Sequence, residues 1–404
     1  MDFAPDPIVE DCAARVRAFL EEEIIPAEPV LEEQLRAHPV DADGWWPTPP
    51  IVDELRASAK RRGLWNLFLS APEGAGLTNL QYAPLAELMG RSPKLAPVAM
   101  NCAAPDSGNI EMLRDFATPE QKQQWLEPLL DGRIRSAFAM TEPAVASSDA
   151  TNIRTSIRRD GDDYVIDGEK WFISGALGDR CEIFIVMGQT DPEAPKHRRQ
   201  SMVLVPRDTP GVTVGEGLTI LGYDDHDHGG HARVSFDGVR VPVTNVLKGE
   251  GEGFAIAQAR LGPGRIHHCM RLLGMGERTY ELMLSRARER STFGRPLSDH
   301  GIVQAWLAEA RITLDSMRLL VLHAAYRMDV GGNKLAHTDI QQIKIAVPRA
   351  IQKLLDDAMQ LFGAAGLTAE QPIAEFFAFA RALRFADGPD EVHLTSLGRA
   401  LLKH

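Results

Sequence analysis

An aspartate followed directly by glycine, in the segment RFADGPDEVH at residues 384–393, is the main candidate for acid–base chemistry in this chain. Glycine next to an acid lets the carboxylate stand on a turn that another backbone and a small molecule can approach closely. Asp387 is therefore a candidate proton acceptor, with Gly388 beside it. Asp-Gly is also a common turn dipeptide, so a turn without chemistry fits the same fragment.

The segment FAMTEPAVASSD at residues 138–149 combines a Thr hydroxyl, adjacent backbone amides and two serines in one irregular stretch. These groups can hydrogen-bond a planar heteroaromatic ring, although a polar domain linker has the same composition. The segment DGEKWFISGA at residues 167–176 follows and is predicted to be a strand. Because side chains alternate along a strand, Trp171 and Phe172 should point to opposite faces, and at most one of them can face a ligand.

Three other segments carry weaker signals. ARERSTFGRPL at residues 287–297 places arginines at a helix C-terminus, where they favour the negative end of the dipole. GEGEGF at residues 249–254 lacks the G-x-G-x-x-G spacing, so it is not predicted to bind a dinucleotide. YDDHDHGGH at residues 223–231 could bind a metal if the loop folded back on itself. No ligand pair lies on a regular element, so a solvated loop near the active-site mouth is preferred and no metal is predicted.

The spacing of apolar residues divides the chain into three regions and predicts an α+β, multidomain fold. Residues 1–135 are predicted to be an α-helical domain, opening with a helix that Asp6 caps and Pro26 ends. Residues 136–248 carry short β-branched runs with no helix of crossover length between them, which favours an antiparallel barrel or sandwich. Residues 249–404 should form a four-helix bundle. Its predicted helices cover 253–290, 298–330, 338–362 and 370–403, the third being kinked by or starting at Pro348.

The 404 residues carry a formal charge of −12 and include four widely separated cysteines. The negative charge gives no diffuse attraction to nucleic acid or to anionic lipid. The cysteine spacing suggests neither disulfides nor a zinc site and fits a reducing compartment. The N-terminal MDFAPDPIVEDC lacks the pattern of a signal peptide and no apolar stretch approaches membrane-spanning length, so a cytoplasmic protein is expected.

Over essentially its whole length the chain resembles acyl-CoA dehydrogenases. FAMTEPAVASSD resembles the flavin-binding loop of that family, although Ala-Val-Ala-Ser makes it one residue longer, and KWFISG resembles the strand whose aromatic residue and hydroxyl flank the flavin ring. The resemblance implies FAD as the cofactor. The residues implied to bind it within one subunit are Phe138, Met140, Thr141, Ser147, Ser148, Phe172, Ile173 and Ser174.

Two segments resemble those that reach the FAD of a neighbouring subunit. In ARERSTFGRPL, Arg290 and Phe293 hold the matching places, and the arginine would serve the pyrophosphate. In QLFGAAG at residues 360–366, Gln360 and Gly363 match the part that binds the adenine side. A homo-oligomer, either a dimer or a dimer of dimers, is therefore expected. Gly301 stands where many relatives carry a flavin-contacting Gln.

By the same resemblance, Asp387 takes the place of the glutamate that abstracts the α-proton of an acyl thioester. In LGPGRIHHCMR, Gly264 stands where some relatives carry this base, so that alternative position has no carboxylate. Arg265, Ser148 and Gly388 are implied to lie against the substrate. The β-hydride would pass to the flavin, and the electrons would pass on to an electron-transferring flavoprotein. The closest likeness is to dehydrogenase domains fused to kinase-like domains, which suggests a long-chain or 4-oxygenated acyl-CoA.

Two interpretations from other classes stay open. A nitroalkane oxidase shares this architecture and uses an aspartate as its base, and the rate of flavin reoxidation by O2 would distinguish it. A non-catalytic flavin- and DNA-binding protein of the alkylation-response type is the second alternative. The charge of −12 and the lack of a basic extension disfavour it.

Overall fold

The protein is described by a computed structural model covering residues 6–38, 40–41 and 44–403. Its α-helices are α1 (Pro7–Phe19), α2 (Ile25–Ala37), α3 (Pro50–Arg61), α4 (Asn79–Met89), α5 (Ala96–Ala99), α6 (Asp106–Phe116), α7 (Pro119–Gln121), α8 (Glu127–Asp131), α9 (Gly253–Glu289), α10 (Gly301–Phe362), α11 (Ile373–Ala382) and α12 (Asp390–Leu401). The first five residues, part of the stretch used to predict the compartment, lie outside the described range.

The strands fill the middle of the chain. They are β1 (Arg135–Ala139), β2 (Ser156–Asp160), β3 (Asp163–Ser174), β4 (Cys181–Gln189), β5 (Gln200–Pro206), β6 (Val212–Gly217), β7 (His231–Pro242), β8 (Ser291–Thr292) and β9 (Arg295–Pro296). The predicted order of helical, β and helical regions is therefore confirmed.

The first helix begins as predicted but does not end as predicted. The Asp6 carboxylate accepts a hydrogen bond from the backbone N–H of Ile8 (3.0 Å), and Pro7 is the first helical residue. Helical structure continues through Pro26, because α2 contains that residue. A π-type turn over Leu20–Ile24 comes just before the proline and interrupts the regular hydrogen-bond ladder there.

The first seven strands form one sheet in the order β1-β4-β2-β3-β7-β6, with β5 paired to β4. The β2–β3, β3–β7, β4–β5 and β6–β7 ladders are antiparallel, as predicted. The prediction is wrong for β2, which pairs in parallel with β4 at Ser156 and Gln189, and for β1, which also pairs in parallel with β4. The β2–β3 hairpin lies between β1 and β4 in the sequence, so a parallel ladder forms without a helical crossover.

Alternating side chains give this sheet an apolar face. In β7, Ala232, Val234 and Phe236 are buried, whereas Arg233 and Ser235 between them are exposed. The buried rows of β2, β3, β4 and β5 join the same core. This core fixes the ends of β1 and β3, where the predicted flavin residues Phe138 and Phe172–Ser174 lie.

The long C-terminal helices differ from the prediction at two places. Segments 298–330 and 338–362 are two parts of α10, which breaks at Gly331 and Gly332, where the backbone is not helical. Pro348 lies buried inside the second part and does not start it. The predicted segment 370–403 is two helices, α11 and α12, separated by a turn that contains Asp387.

The chain divides into two compact units. The first comprises Met1–Ile25, Leu77–Pro97 and Gly262–His404, and the second comprises Pro26–Gly76 and Val98–Leu261. The boundaries at 135/136 and 248/249 stay predictions. The four cysteines are buried and form no disulfide among the described residues. None of the described helices combines the length and apolar character needed to cross a membrane.

Candidate active site

The turn between α11 and α12 holds Asp387 in a backbone conformation that few side chains adopt. Its φ is +57°, in the left-handed region, and the φ of Gly388 is +105°. A Cβ added to Gly388 would lie 3.1 Å from Nε2 of His393, so this position favours glycine by both its φ and its crowding. Left-handed non-glycine residues are uncommon and concentrate at functional sites.

Two cationic side chains from other helices hold the main chain of this turn. Arg265 on α9 donates through Nε to the carbonyl oxygen of Asp387 (3.0 Å). The buried Lys344 on α10 donates to the carbonyl oxygens of Leu383 (2.5 Å) and Ala386 (2.8 Å). Burial lowers the pKa of Arg265 and of Lys344, and the negative charge of Asp387 opposes this lowering in both. Arg265 thus contacts Asp387 through its backbone carbonyl.

A buried carboxylate links the two sides of the turn. Oδ2 of Asp390, at the start of α12, accepts hydrogen bonds from Nε of Arg384 (2.9 Å) and Nε of Arg349 (2.9 Å). Arg384 precedes Asp387 and Asp390 follows it. The strained residue therefore sits between two mutually bonded positions, which restrict how the turn can relax.

The Asp387 carboxylate also has a histidine partner that sequence reasoning missed. Nε2 of His268 lies 3.3 Å from Oδ2 of Asp387, and the two side chains are 15% and 16% exposed. Nη2 of Arg271 lies 3.3 Å from Nδ1 of His268. Because arginine can only donate, Nδ1 accepts, which assigns a hydrogen on Nε2 directed at the carboxylate. The available signal was the i, i+3 spacing of His268 and Arg271 in LGPGRIHHCMR.

The segment that follows β1 is closed by its own hydroxyl groups. Oγ1 of Thr141 donates to the carbonyl oxygen of Trp171 (2.5 Å), whose N–H donates back to the carbonyl of Thr141 (3.0 Å). Oγ of Ser147 accepts the backbone N–H of Glu142 (2.8 Å), whereas Ser148 is exposed. Ser147 therefore serves the loop itself, and Ser148 is the serine whose side chain is accessible to a ligand.

A buried ion pair holds the same loop against strands β3 and β4. Nζ of Lys170 donates to Oε1 of Glu142 (2.8 Å) and to the carbonyl oxygens of Met140 (2.9 Å) and Met187 (2.6 Å). Glu142 also accepts from the N–H (2.8 Å) and Oγ1 (2.6 Å) of Thr155. Burial lowers the pKa of Lys170 to about 8 against the effect of Glu142. Burial acts to raise the pKa of Glu142, but Lys170 and Thr155 hold it below its usual value.

Strict alternation fails where β3 carries its aromatic residues. Phe172 has φ +51°, and the register with β7 shifts between Lys170 and Ile173. The rings of Trp171 and Phe172 meet edge to face with centroids 4.9 Å apart, and neither residue is buried, so the expectation of opposite faces is wrong here. A left-handed phenylalanine is a backbone outlier of the kind found at ligand sites. The Ile173 side chain is buried in the core, so only its backbone could contact a ligand.

Phe138 on β1, another predicted flavin residue, carries a cationic neighbour. The guanidinium of Arg260 lies 4.1 Å from the centroid of its ring. Nε of Arg260 donates to Oδ1 of Asn109 (2.8 Å), which fixes the guanidinium over the ring. Such cation–π contacts contribute on the order of 0.5–2 kcal/mol. Phe138 is half-buried, and the Arg260 guanidinium covers one face of its ring.

The loop at residues 223–231 is not the solvated loop that was expected. The side chains of Asp227 and His228 are only 2% and 14% exposed, with Oδ2 of Asp227 2.6 Å from Nδ1 of His228. Burial acts to lower the pKa of His228, but Asp227 and Asp225 raise it to about 10. Asp225, Asp227 and His228 offer ligand atoms within 4.8 Å of one another. A protonated His228, however, has no lone pair for a metal at neutral pH and is itself the cation between the carboxylates.

The residues predicted to serve a neighbouring subunit lie on the surface of the first unit. Phe293 is 95% exposed with φ +51°, at the tip of the β8–β9 hairpin. Arg290, Gln360 and Gly363 are exposed as well. Nη2 of Arg286 donates to the carbonyl of Phe362 (3.4 Å), so the ends of α9 and α10 that carry these residues are joined.

Three family models of the acyl-CoA dehydrogenases match the chain in order: the N-terminal domain at residues 9–133, the middle domain at 137–239 and the C-terminal domain at 251–402. The chain belongs to this family. The prediction made from its motifs is confirmed, as is the prediction that it is an oxidoreductase.

Individual relatives agree with this assignment. The chain is 53% identical to FadE2 of Mycobacterium tuberculosis, named as a probable acyl-CoA dehydrogenase, over 100% of this chain and 97% of that protein. It is 51% identical to acyl-CoA dehydrogenase family member 10 of Mus musculus, over 98% of this chain but only 37% of that protein. The solved structure of a candidate acyl-CoA dehydrogenase from Mycobacterium abscessus is 48% identical, with a TM-score of 0.95 over 99% of both chains.

Proposed function

We propose that the protein is an FAD-dependent acyl-CoA dehydrogenase that desaturates the α,β bond of an acyl-CoA, with Asp387 as the base. The observation that carries this proposal is the left-handed Asp387 on a turn fixed by Arg265 and Lys344. A folded chain retains such strain when the surrounding contacts over-determine it, and a catalytic carboxylate is a reason to do so.

The α-hydrogen of a thioester is weakly acidic, so its removal requires a carboxylate sheltered from water and donors for the carbonyl oxygen that gains negative charge. The Asp387 side chain is 16% exposed, which limits its hydration. Its backbone N–H would donate to the thioester carbonyl, with Gly388 and Arg265 against the substrate. Arg265 and Lys344 add positive charge near the turn, which favours an ionised base and a developing negative oxygen.

The residues of the second unit fit a flavin. Thr141 and Ser147 are fixed within their loop, Ser148 and Phe172 are accessible, and Ser174 ends β3 with a half-buried hydroxyl. Phe138, Met140 and the backbone of Ile173 complete this set. FAD would supply the acceptor for the β-hydride, which no protein side chain can provide.

The exposed residues Arg290, Phe293, Gln360 and Gly363 would bind the FAD of another copy of the chain. Their exposure supports a homo-oligomer, either a dimer or a dimer of dimers. A guanidinium at Arg290 suits a pyrophosphate, because its planar fork matches phosphate oxygens. The reduced flavin would pass its electrons to an electron-transferring flavoprotein.

The substrate within the acyl-CoA class is proposed to be long-chain or 4-oxygenated. The resemblance of LGPGRIHHCMR and ADGPDEVH to dehydrogenase domains fused to kinase-like domains supports this choice. A role in fatty acid β-oxidation follows from the same reaction. A cytoplasmic location is proposed from the buried, unbridged cysteines, which fit a reducing compartment.

The test is anaerobic titration of the purified protein with butyryl-, palmitoyl- and 4-hydroxyacyl-CoA while flavin absorbance is recorded. Wild type should bleach, most completely with the longer or 4-oxygenated substrates. Asp387→Asn should purify yellow and stay unbleached, because the base is lost while the flavin residues remain. Asp356→Asn, at an exposed carboxylate, is the matched control and should bleach like wild type. Bleaching of Asp387→Asn at the wild-type rate would refute the assignment.

A nitroalkane oxidase is the second candidate, because the base here is an aspartate. It would oxidise a nitroalkane in place of a thioester, and its reduced flavin would react rapidly with O2. Bleaching by nitroethane with fast reoxidation in air, and no response to any acyl-CoA, would establish this alternative.

A further inference from the structure

Three side chains of the second unit form a continuous hydrogen-bonded chain that ends at a predicted flavin residue. Oγ of Ser174, at the end of β3, lies 2.9 Å from Nδ1 of His231, the first residue of β7. Nε2 of His231 lies 3.2 Å from Oδ2 of Asp225. Ser174 and His231 face each other in the β3–β7 ladder, so the sheet itself fixes the first contact.

The loop that carries Asp225 is fastened to the strand end. The N–H groups of Gly175 and Leu177 donate to the carbonyls of Gly230 (2.9 Å) and Gly229 (3.0 Å). A Cβ at Gly229 would lie 3.0 Å from the carbonyl oxygen of Gly175, so this approach requires glycine. The Asp–His–Ser alignment therefore rests on a rigid backbone.

Asp225 is held ionised within this chain. Burial acts to raise the pKa of Asp225, but His228 and His231 hold it well below its usual range. An ionised carboxylate can only accept, so Nε2 of His231 must carry a hydrogen directed at it. What can still vary in this hydrogen-bonded chain is whether Nδ1 of His231 also carries a hydrogen.

The protonation of Nδ1 decides which way the Ser174 hydroxyl points. A neutral His231 accepts at Nδ1, so the Ser174 hydrogen turns towards it and leaves the serine oxygen as an acceptor on its other side. A protonated His231 donates at Nδ1 and frees the Ser174 hydrogen to be donated elsewhere. One proton on His231 thus exchanges the donor and acceptor roles of Ser174.

We propose that Asp225 and His231 are positioning residues that set the hydrogen-bonding polarity of Ser174 towards the flavin and couple it to the flavin's redox state. This rests on the proposed FAD binding. A flavin ring nitrogen that accepts a hydrogen bond when oxidised carries an N–H when reduced. The oxidised flavin therefore favours a donating Ser174 and a protonated His231, and the reduced flavin favours an accepting Ser174 with the His231 proton released to solvent.

Among the residues that the structure describes, the charged groups near His231 are the following. Asp225 contacts it directly, His228 contacts Asp225 on its other oxygen (3.4 Å), and Asp227 contacts His228. From β3 the facing group is the Ser174 hydroxyl. Asp106, Arg135 and Arg180 line a small pocket together with His226 and His228. His226 lies against Trp46, with ring centroids 4.5 Å apart.

The experiment measures the flavin reduction potential of the FAD-loaded protein against pH, by stepwise reduction with reference dyes and without acyl-CoA. In wild type the potential should fall less steeply with pH over one interval than on either side of it, because within that interval reduction of the flavin also releases the His231 proton. His231→Phe should give a uniform slope. Asp225→Asn should move the shallow region to lower pH, because an opposite charge next to the imidazole is lost.

His226→Phe, a matched change on the same loop, should keep the wild-type curve. A uniform slope in wild type, or an unchanged shallow region in His231→Phe, overturns the relay. If His231→Phe fails to hold FAD, Asp225→Asn decides. A shift of the shallow region to lower pH in that variant supports the relay, and an unshifted shallow region overturns it. Since no substrate is present, failure of the relay leaves the acyl-CoA reaction untouched, and failure of the acyl-CoA reaction leaves this measurement possible.

Discussion

Nε2 of His268 lies 3.3 Å from Oδ2 of Asp387, and Arg271 fixes the histidine so that this nitrogen carries the hydrogen. Such a donor stabilises the ionised carboxylate that the reaction needs. We expect His268→Leu to move the acid limb of the pH profile for flavin reduction to higher pH, because the ionised carboxylate loses a hydrogen-bond donor. Stopped-flow bleaching by acyl-CoA across pH measures the limb.

Two further variants make this prediction specific. His268→Gln keeps an N–H donor and should restore most of the wild-type profile. His323→Leu removes another His–Asp contact of 3.3 Å in the same unit, with Asp339, and should leave the limb in place. An unmoved limb in His268→Leu would show that the histidine does not act on the base.

Gly388→Ala tests whether the Asp387 turn needs glycine. Alanine at φ +105° is strained, and its Cβ would crowd His393 at 3.1 Å. We expect a loss of about 1–2 kcal/mol in the free energy of unfolding and slower flavin bleaching. Urea unfolding measures the first effect. Gly398→Ala, on α12 with open space around its Cβ, should instead gain about 0.5–1 kcal/mol. Equal losses in both variants would contradict the argument.

The Glu142–Lys170 pair is expected to matter more when one partner is removed than when both are. Glu142→Gln leaves a buried lysine without its counterion, which typically costs about 3–5 kcal/mol of unfolding free energy. Lys170→Met should also destabilise the protein, and Glu142→Gln with Lys170→Met should cost less than the sum. Urea unfolding of the four proteins gives the coupling. The exposed Arg240–Asp160 pair is the control and should couple weakly or not measurably, because solvent screens exposed charges. If the losses of unfolding free energy in the two single variants simply add in the double variant, Glu142 and Lys170 do not stabilise the fold as an ion pair.

Local patterns in the sequence were enough to predict the fold class and the position of the Asp387 turn. Apolar periodicity gave the three regions, and the Asp-Gly dipeptide gave a turn inside a segment otherwise predicted as one helix. Pro26 misled the helix prediction because a π-type turn before it let the helix continue. A proline predicts the end of a helix whose hydrogen-bond ladder is regular. The prediction fails where a π-type turn has already interrupted that ladder.

The missed parts of the site depend on contacts between residues far apart in the chain. His268 and Asp387 are 119 positions apart, and Glu142 and Lys170 are 28 apart, so no local spacing connects them. At Phe172 a bulge replaced the period of two, and in residues 223–231 paired glycines folded a polar segment onto the sheet end. In each case tertiary packing overrode a pattern that was sound locally.

The ion-paired His228 predicts a pH dependence of stability. Its pKa is raised from 6.5 to about 10 in the folded protein, so its contribution is fully present below about pH 6.5 and is lost as pH rises through 10. The unfolding free energy of wild type minus that of His228→Gln should shrink over this window. Lys170, with its pKa lowered from 10.5 to about 8, acts with the opposite sign but cancels in the difference. His226→Gln should show no such alkaline trend, because burial lowers its pKa. A difference independent of pH would mean that His228 is not charged between Asp225 and Asp227.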